Sequence, residues 1–253
     1  YSKINANKLV GDLFSYDEFK TAFDTILGGA GIESYSLSRF DMRFDSFDPE
    51  HYRDYAKLNR YLISTLAVTY NVQNCYDSRN LFSQKQVSVA IKNKRFECEN
   101  YDKEAESGGR DPAYARLELR SKCLTSNDIE KQFHGWYIRL DKALKNLDKV
   151  HQRYNDELEK IYKEEKDAFP VKFRSLTDFL IQYQNCIFCK AQMVDLLSRF
   201  DEVKNPETRA KNHKKRYGIE YFSKMDVEYA VAEIKRAAEK FFKGTEMNLF
   251  EKS

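Results

Sequence analysis

Two segments of the chain alternate between apolar and charged residues, and this pattern constrains the fold more than any other feature. Residues 35–45 read YSLSRFDMRFD, and residues 114–122 read YARLELRSK. Successive side chains of a β-strand point to opposite faces, so a period of two predicts a strand with one buried and one charged face. In the first segment, Phe40, Met42 and Phe44 form the predicted buried face. Both segments therefore predict a sheet that packs on one side.

The rest of the first half predicts a mixture of helix and strand. Residues 16–25 carry apolar residues at helical spacing, and the glycines that follow favour the end of a helix. Residues 86–91 and 95–101 flank a short polar turn and predict a β-hairpin. Residues 62–72 (LISTLAVTYNV) are rich in β-branched residues and predict another strand.

The second half of the chain has helical periodicity. Apolar and aromatic residues recur at alternating spacings of four and three, which predicts a seam of about three heptads. The seam consists of Leu140, Leu144, Leu147, His151, Tyr154, Leu158 and Ile161. It would pack either within the chain, as a helix hairpin, or against a second chain as a coiled coil, and we favour the first. Residues 175–200 predict a second helix, and a capping box at Ser223 and Asp226 begins a third. We therefore predict an α+β domain at residues 1–123 and an all-helical region at residues 124–253.

Composition limits the function classes that the chain can belong to. With 253 residues, the chain can bury a substantial core, and its net charge of +3 is too small to require a nucleic-acid partner. No apolar run approaches the length of a membrane span, and no leader segment is visible, so we expect a cytoplasmic protein. An odd number of cysteines, five, favours reduced thiols. The sequence has no phosphate-binding loop, dinucleotide fingerprint, HExxH or GxSxG motif.

The alternating strands also carry the candidate metal ligands. Asp41 and Asp45 share one face of their strand, about 13 Å apart, and Glu118 lies on the other alternating strand. Carboxylates on one sheet face would hold a hard divalent cation if the strands brought a third acid close. Alternatively, the same face is a solvated surface on which the acids pair with arginines. Those arginines are Arg39, Arg43, Arg116 and Arg120.

A basic stretch in the second half is a candidate for DNA binding. Its cations would suit contacts to DNA phosphates, although a solvated loop would have the same composition. The stretch contains Lys204, Arg209, Lys211, Lys214, Lys215 and Arg216. Cys186 and Cys189 form a CxxC pair inside a predicted helix, and we interpret them as core thiols because no second ligand pair accompanies them.

Four segments, taken in order, resemble one family. They are residues 4–9 (INANKL), 38–45 (SRFDMRFD), 95–106 (RFECENYDKEAE) and 116–120 (RLELR). Together they are similar to the Rep_trans replication initiation factors, which initiate staphylococcal-type rolling-circle plasmid replication. Related proteins are conjugative-transposon relaxases and filamentous-phage initiators. The resemblance implies an antiparallel-rich sheet with helices on one face, an HUH-like nicking domain without the histidine pair, and a helical tail.

The resemblance also implies a chemistry. Members cut one DNA strand through a tyrosine that becomes linked to the 5′-phosphate, and the matching residue here is Tyr101. By itself, the composition gives no reason to choose Tyr101 among 17 tyrosines. Lys103 and Arg116 would contact phosphate oxygens. The resemblance further implies a Mg²⁺ or Mn²⁺ ion on carboxylates that match Asp41, Asp45 and Glu118.

The implied partners follow from the same resemblance. They are DNA in a single-stranded or cruciform origin, a host helicase, and a second copy of the chain in a dimer. Two alternatives remain: a conjugative relaxase with the same chemistry, and a non-catalytic DNA-binding protein. The strand before Tyr101 is one residue longer than the family pattern and predicts a bulge or a change of register. Glu97 or Glu99 would then join the site.

Overall fold

The structure is a computed structural model that describes residues 15–46, 51–72, 89–103, 107–110, 114–124, 127–166, 168 and 172–243. Residues 4–9 and 104–106, which contribute to the family resemblance, lie outside the described residues. The described elements are α1 (Tyr16–Gly29), β1 (Arg39–Ser46), α2 (Tyr52–Thr69), β2 (Val89–Lys92), β3 (Phe96–Asp102), β4 (Ala115–Lys122), α3 (Ile129–Leu144), α4 (Leu147–Lys166), α5 (Leu176–Gln182), a 3₁₀ turn (Gln184–Cys186), α6 (Lys190–Ser198), α7 (Pro206–Tyr217) and α8 (Lys224–Lys243).

The four described strands form one antiparallel sheet in the order β1-β4-β3-β2. This confirms the α+β class, both alternating strands and the β2–β3 hairpin. Met42 of β1 lies opposite Leu119 of β4, which lies opposite Cys98 of β3, so one face of the sheet is apolar. The pairing of β3 with β4 is regular from Phe96 to Asp102, so the predicted bulge is wrong for these strands. The alternative, a change of register relative to the family pattern, stays a prediction.

Helix α2 covers the apolar face, and part of it was predicted to be a strand. Residues 62–72 were expected to form a strand, but α2 continues to Thr69, so that prediction is wrong. The helix packs against β2, β3 and β4 on one side and against α3 and α4 on the other. Every residue from 60 to 67 is consequently buried. A helix that is buried on all sides loses its amphipathic period, and β-branched residues then resemble a strand.

The helical half differs from the prediction at three places. The seam is interrupted at residues 145–146, between α3 and α4. Its apolar residues nevertheless pack in or against the core of this chain, and His151 contacts Tyr61, as the intramolecular alternative requires. The helix predicted at residues 175–200 is wrong, because α5, a 3₁₀ turn and α6 replace it. The basic stretch lies mostly on α7, not in a loop. The capping box is confirmed, since the backbone N–H of Asp226 donates to the Ser223 hydroxyl.

A continuous buried cluster joins residues of both halves. Trp136 of α3 is fully buried, its indole N–H donates to the Ser121 hydroxyl at 3.1 Å, and the Phe96 ring meets it edge-on. The helices therefore pack on the apolar face, and the charged side chains of the sheet point the other way. None of the described helices is long and apolar enough to cross a membrane.

Candidate active site on the charged face of the sheet

The charged face is the sheet face opposite the core. Because β1, β3 and β4 pair in regular antiparallel register, residues at alternate positions of all three strands share this face. Its members are Arg39, Asp41, Arg43, Asp45, Glu97, Glu99, Tyr101, Arg116, Glu118, Arg120 and Lys122. The structure thus brings together five of the residues predicted for catalysis or metal binding. They are Asp41, Asp45, Tyr101, Arg116 and Glu118.

Tyr101 and Glu118 form a hydrogen-bonded pair on this face that has the chemistry of a nucleophile and a proton acceptor. The Tyr101 hydroxyl donates to Glu118 Oε1 at 2.6 Å, and Tyr101 is only 9% exposed. Burial and the carboxylate of Glu118 raise the pKa of Tyr101 well above its ordinary value. Burial opposes ionisation of Glu118, but the hydrogen bond from Tyr101 and the charge of Arg120 outweigh it and lower the pKa of that carboxyl. The resting pair is therefore a neutral phenol that faces an ionised proton acceptor.

Two cations flank the phenol ring. The guanidinium of Arg116 lies 5.9 Å from the centre of the Tyr101 ring, and Lys103 Nζ, just beyond β3, is also 5.9 Å away. Arg116 forms a forked pair with Asp45 at 2.6 and 2.7 Å and also donates to the Tyr114 hydroxyl. Burial would lower the pKa of Arg116, but Asp45 and Tyr101 outweigh it, so its pKa lies above the ordinary value. Arg116 is therefore a fixed positive charge beside Tyr101.

Arg120 is the centre of the remaining acidic groups. Its Nη1 donates to Glu97 at 2.6 Å and to Glu99 at 2.8 Å, and its Nη2 donates to Glu118. Asp41 lies 3.9 Å from Arg120 Nε and is held mainly by Arg39. The structure thus shows the ion-pair alternative, in which carboxylates of this face pair with arginines.

These contacts do not fit a shared divalent cation. Asp41 and Asp45 are separated by four residues along β1, a span of about 13 Å, so one ion cannot bind both. Asp45 is engaged by Arg116, and Glu118 is shared between Tyr101 and Arg120. Within the part of the chain that the structure describes, no group of three or more histidine, cysteine or acidic side chains is arranged to hold a metal ion.

The predicted DNA-binding residues lie apart from this face. They are on or just before α7, which packs against α6 in the helical half. Arg209 contacts the Thr177 hydroxyl at 3.3 Å, and Lys214 pairs with Glu220 at 3.6 Å. The other four are exposed, namely Lys204, Lys211, Lys215 and Arg216. The structure does not bring them next to Tyr101.

Sequence reasoning missed the central position of Arg120, which it treated only as one of several pairing partners. The sequence did contain a signal for it. Glu97, Glu99 and Tyr101 occupy alternate positions of β3, so all three side chains lie on the same face as Arg120.

A pocket of about 460 Å³ in the helical half was also missed. Cys189 caps α6, with its Sγ 3.6 Å from His151 Nε2, and the Tyr61 hydroxyl lies 2.5 Å from the same nitrogen. The prediction that Cys186 and Cys189 share a helix is therefore wrong. No local pattern joins Cys189 to His151, because they lie 38 residues apart.

Comparison with known proteins adds no family to this description. No protein-family model matches the chain, and searches of curated proteins and of solved structures found no match.

Proposed function

We propose that the protein is a DNA-nicking strand transferase of the rolling-circle initiator type, with Tyr101 as the nucleophile. The observation that carries the proposal is the Tyr101–Glu118 hydrogen bond on a sheet face that also holds Arg116. A tyrosine becomes a useful nucleophile when a base removes its proton during attack. Glu118, ionised and at 2.6 Å, meets that requirement.

The proposed reaction is a transesterification. The Tyr101 oxygen attacks the phosphorus, and Glu118 accepts the phenolic proton. The bond between phosphorus and the 3′ oxygen breaks, and that oxygen leaves as a hydroxyl after taking a proton from solvent. The 5′-phosphate remains esterified to Tyr101. Because phenoxide is a good leaving group, the released 3′-hydroxyl can attack the phosphotyrosine and rejoin the strand.

The cations beside Tyr101 would bind the scissile phosphate. Arg116 and Lys103 flank the phenol, and charge-assisted hydrogen bonds from such groups stabilise the negative charge of the transition state. The exposed cations of α7 would bind DNA away from the cut, where they add affinity without chemistry. We further propose a single-stranded or extruded origin in the cytoplasm, an HUH-like fold for the sheet, and the implied helicase and dimer partners. A conjugative relaxase would use the same residues.

The implied Mg²⁺ or Mn²⁺ ion has no step in this mechanism. The carboxylates proposed to hold it are engaged by arginines, so their arrangement does not fit a bound ion. Metal dependence is instead tested in the covalent-adduct assay below, which compares EDTA with Mg²⁺ and Mn²⁺.

A non-catalytic DNA-binding protein is the second candidate. It is favoured by the dense ion pairing of the charged face, which would also serve as a structural network. In that case, Tyr101 is a buried tyrosine whose hydroxyl donates a structural hydrogen bond to Glu118.

A covalent-adduct assay separates the candidates. The protein is mixed with a 3′-labelled, sequence-randomised single-stranded oligonucleotide, with EDTA or with Mg²⁺ or Mn²⁺, and run on a denaturing gel. We expect a labelled band at the mass of protein plus DNA, lost in Tyr101→Phe and retained in the matched control Tyr55→Phe, whose ring is exposed on α2. A band that survives Tyr101→Phe would move the nucleophile elsewhere. Salt-sensitive DNA binding without any band would favour the non-catalytic protein.

A further inference from the structure

We infer that the pocket of the helical half is a thiol site, in which Cys189 forms a covalent bond with a small electrophile that carries a negative charge. The pocket has a volume of about 460 Å³, which is the size of a site for a small molecule. Cys189, His151 and Tyr61 all line it. The inference goes beyond the proposed function, because these residues belong to α2, α4 and the start of α6 and none lies on the charged face of the sheet.

A base lies beside the Cys189 thiol. The Cys189 Sγ lies 3.6 Å from His151 Nε2 and 3.8 Å from His151 Nδ1. A neutral imidazole has one unprotonated nitrogen, so an acceptor for the thiol proton lies near Sγ in either tautomer. The Tyr61 hydroxyl, 2.5 Å from Nε2, can donate or accept and therefore fits both tautomers. His151 is thus placed to take the proton of Cys189.

The resting pair is a neutral thiol and a neutral imidazole. Burial raises the pKa of Cys189 above its ordinary value, although the backbone N–H groups of Gln192 and Ala191 favour the thiolate. Burial also lowers the pKa of His151, and the carboxylate of Asp148 offsets this only in part. His151 is therefore unprotonated at pH 7 and able to accept a proton. Because the thiolate is the nucleophile, Cys189 must lose its proton to His151 as it attacks.

The lining of the pocket carries an excess of positive charge. Three lysines line it against a single carboxylate, that of Asp148. Helices α4, α6 and α8 also begin at the pocket, and the N-terminus of a helix is the positive end of its dipole. The lysines are Lys145, Lys190 and Lys224, of which the last two also pair with the exposed Glu207 and Glu228 at 2.9 and 3.6 Å. This lining favours an anionic ligand over a neutral or cationic one.

The inferred step is a nucleophilic substitution. The Cys189 Sγ attacks the electrophilic carbon, a sulfur–carbon bond forms, and the bond from that carbon to the leaving group breaks. The leaving group takes the bonding electron pair. The thiol proton passes to His151 and from there to solvent. Lys145 and the three helix N-termini hold the negative group of the ligand beside the thiol.

The experiment compares two alkylating reagents of similar size on the full chain at pH 7, the anion iodoacetate and the neutral iodoacetamide. Peptide mass spectrometry gives the alkylation rate of each cysteine separately. Cys123 is the matched control, because it is exposed and, like Cys189, is adjacent to a lysine in the sequence. We expect the ratio of the iodoacetate rate to the iodoacetamide rate to be about fivefold higher at Cys189 than at Cys123, since a positive pocket concentrates anions.

Two substitutions separate the base from the charge. His151→Gln should lower the rate at Cys189 with both reagents by about tenfold and leave their ratio unchanged, because it removes only the proton acceptor. Lys145→Met should lower the ratio at Cys189 by about threefold, because it removes a cation that attracts only the anionic reagent. Lys160→Met is the control for the second substitution, since Lys160 is exposed and does not line the pocket.

Three results would overturn the inference. Equal ratios at Cys189 and Cys123 would show that the pocket does not select an anion. A ratio in Lys145→Met equal to that in Lys160→Met would show that the lysine lining does not attract the reagent. An unchanged rate at Cys189 in folded His151→Gln would show that His151 is not the base. If His151→Gln does not fold, as judged by its melting curve, the comparison of Cys189 with Cys123 in the wild type decides the inference without it.

Discussion

Replacing the buried Lys57 by methionine should stabilise the protein at neutral pH. Lys57 lies on α2, is 8% exposed, and donates to the carbonyl oxygen of Glu220 at 2.6 Å. Burial, only partly offset by acidic neighbours such as Asp54, lowers the pKa of Lys57 from 10.5 to about 8. The folded state therefore carries a charge that it solvates poorly, and methionine fills a similar volume without that charge.

The magnitude follows from the pKa change. A fall from 10.5 to about 8 corresponds to a cost of about 3 kcal/mol for keeping Lys57 charged in the folded state. Methionine loses the hydrogen bond to the Glu220 carbonyl, which costs about 1 kcal/mol. We expect a net gain of about 2 kcal/mol in the free energy of unfolding at pH 7. That gain corresponds to a rise in melting temperature of about 4–8 °C for a chain of this size.

The stability difference between the wild type and Lys57→Met should change with pH in a specific way. Below pH 8, Lys57 is charged in both states, so its full cost is present. Between pH 8 and 10.5, the unfolded state binds more protons, so the wild type gains stability relative to Lys57→Met as the pH rises. Above about pH 10.5 the electrostatic part of the difference disappears.

Urea unfolding, followed by the fluorescence of the buried Trp136 at pH 7 and pH 10, measures the difference. The exposed Lys160→Met on α4 is the control, with no comparable change expected. The reasoning would be refuted if Lys57→Met were less stable than wild type at pH 7. A stability difference that stayed constant between the two pH values would refute it equally.

Three further substitutions test single contacts. Tyr101→Phe removes a hydrogen bond that stabilises ionised Glu118, so the pKa of Glu118 should rise in an NMR titration; an unchanged pKa would contradict the contact. Ser121→Ala leaves the Trp136 indole N–H buried without its acceptor and should cost about 1–3 kcal/mol in urea unfolding, whereas a neutral effect would count against it. Gly218→Ala should cost about 1 kcal/mol in the same assay, because Gly218 ends α7 in the left-handed region at φ 62°; unchanged stability would show that the backbone relaxes.

The strands could be predicted because each keeps one face in the core and one outside it. Met42 and Leu119 are buried, while Asp41 and Arg120 alternate with them on the other face. Helix α2 could not be predicted in the same way. Its residues 60–67 are all buried, including the polar Arg60, Ser64 and Thr65, so the exposed positions that reveal a helix surface are missing from that stretch.

The interruption before α6 depends on contacts that no local pattern shows. The Gln192 side chain accepts from the backbone N–H of Phe188 and donates to the Cys186 carbonyl. Cys189 then caps α6 by accepting from the Gln192 N–H. These bonds satisfy the backbone groups that a continuous helix would otherwise pair, so the chain can turn there at little cost.

In the candidate site, local pattern predicts which residues share a face, and the register of the strands determines which of them make contact. The alternation of side chains along the strands places Glu99, Tyr101 and Glu118 on one face. It does not determine which residues of neighbouring strands lie opposite each other. That depends on β4 pairing with β1 on one side and β3 on the other, which sets Arg120 between Asp41 and Glu97. The register also produces the like-charge pair of Glu99 and Glu118. An arginine two residues along β4 from Glu118 can bridge that pair, because residues i and i+2 share a face. The contacts of Arg120 are therefore a consequence of register, and they favour the ion-pair alternative that the sequence left open.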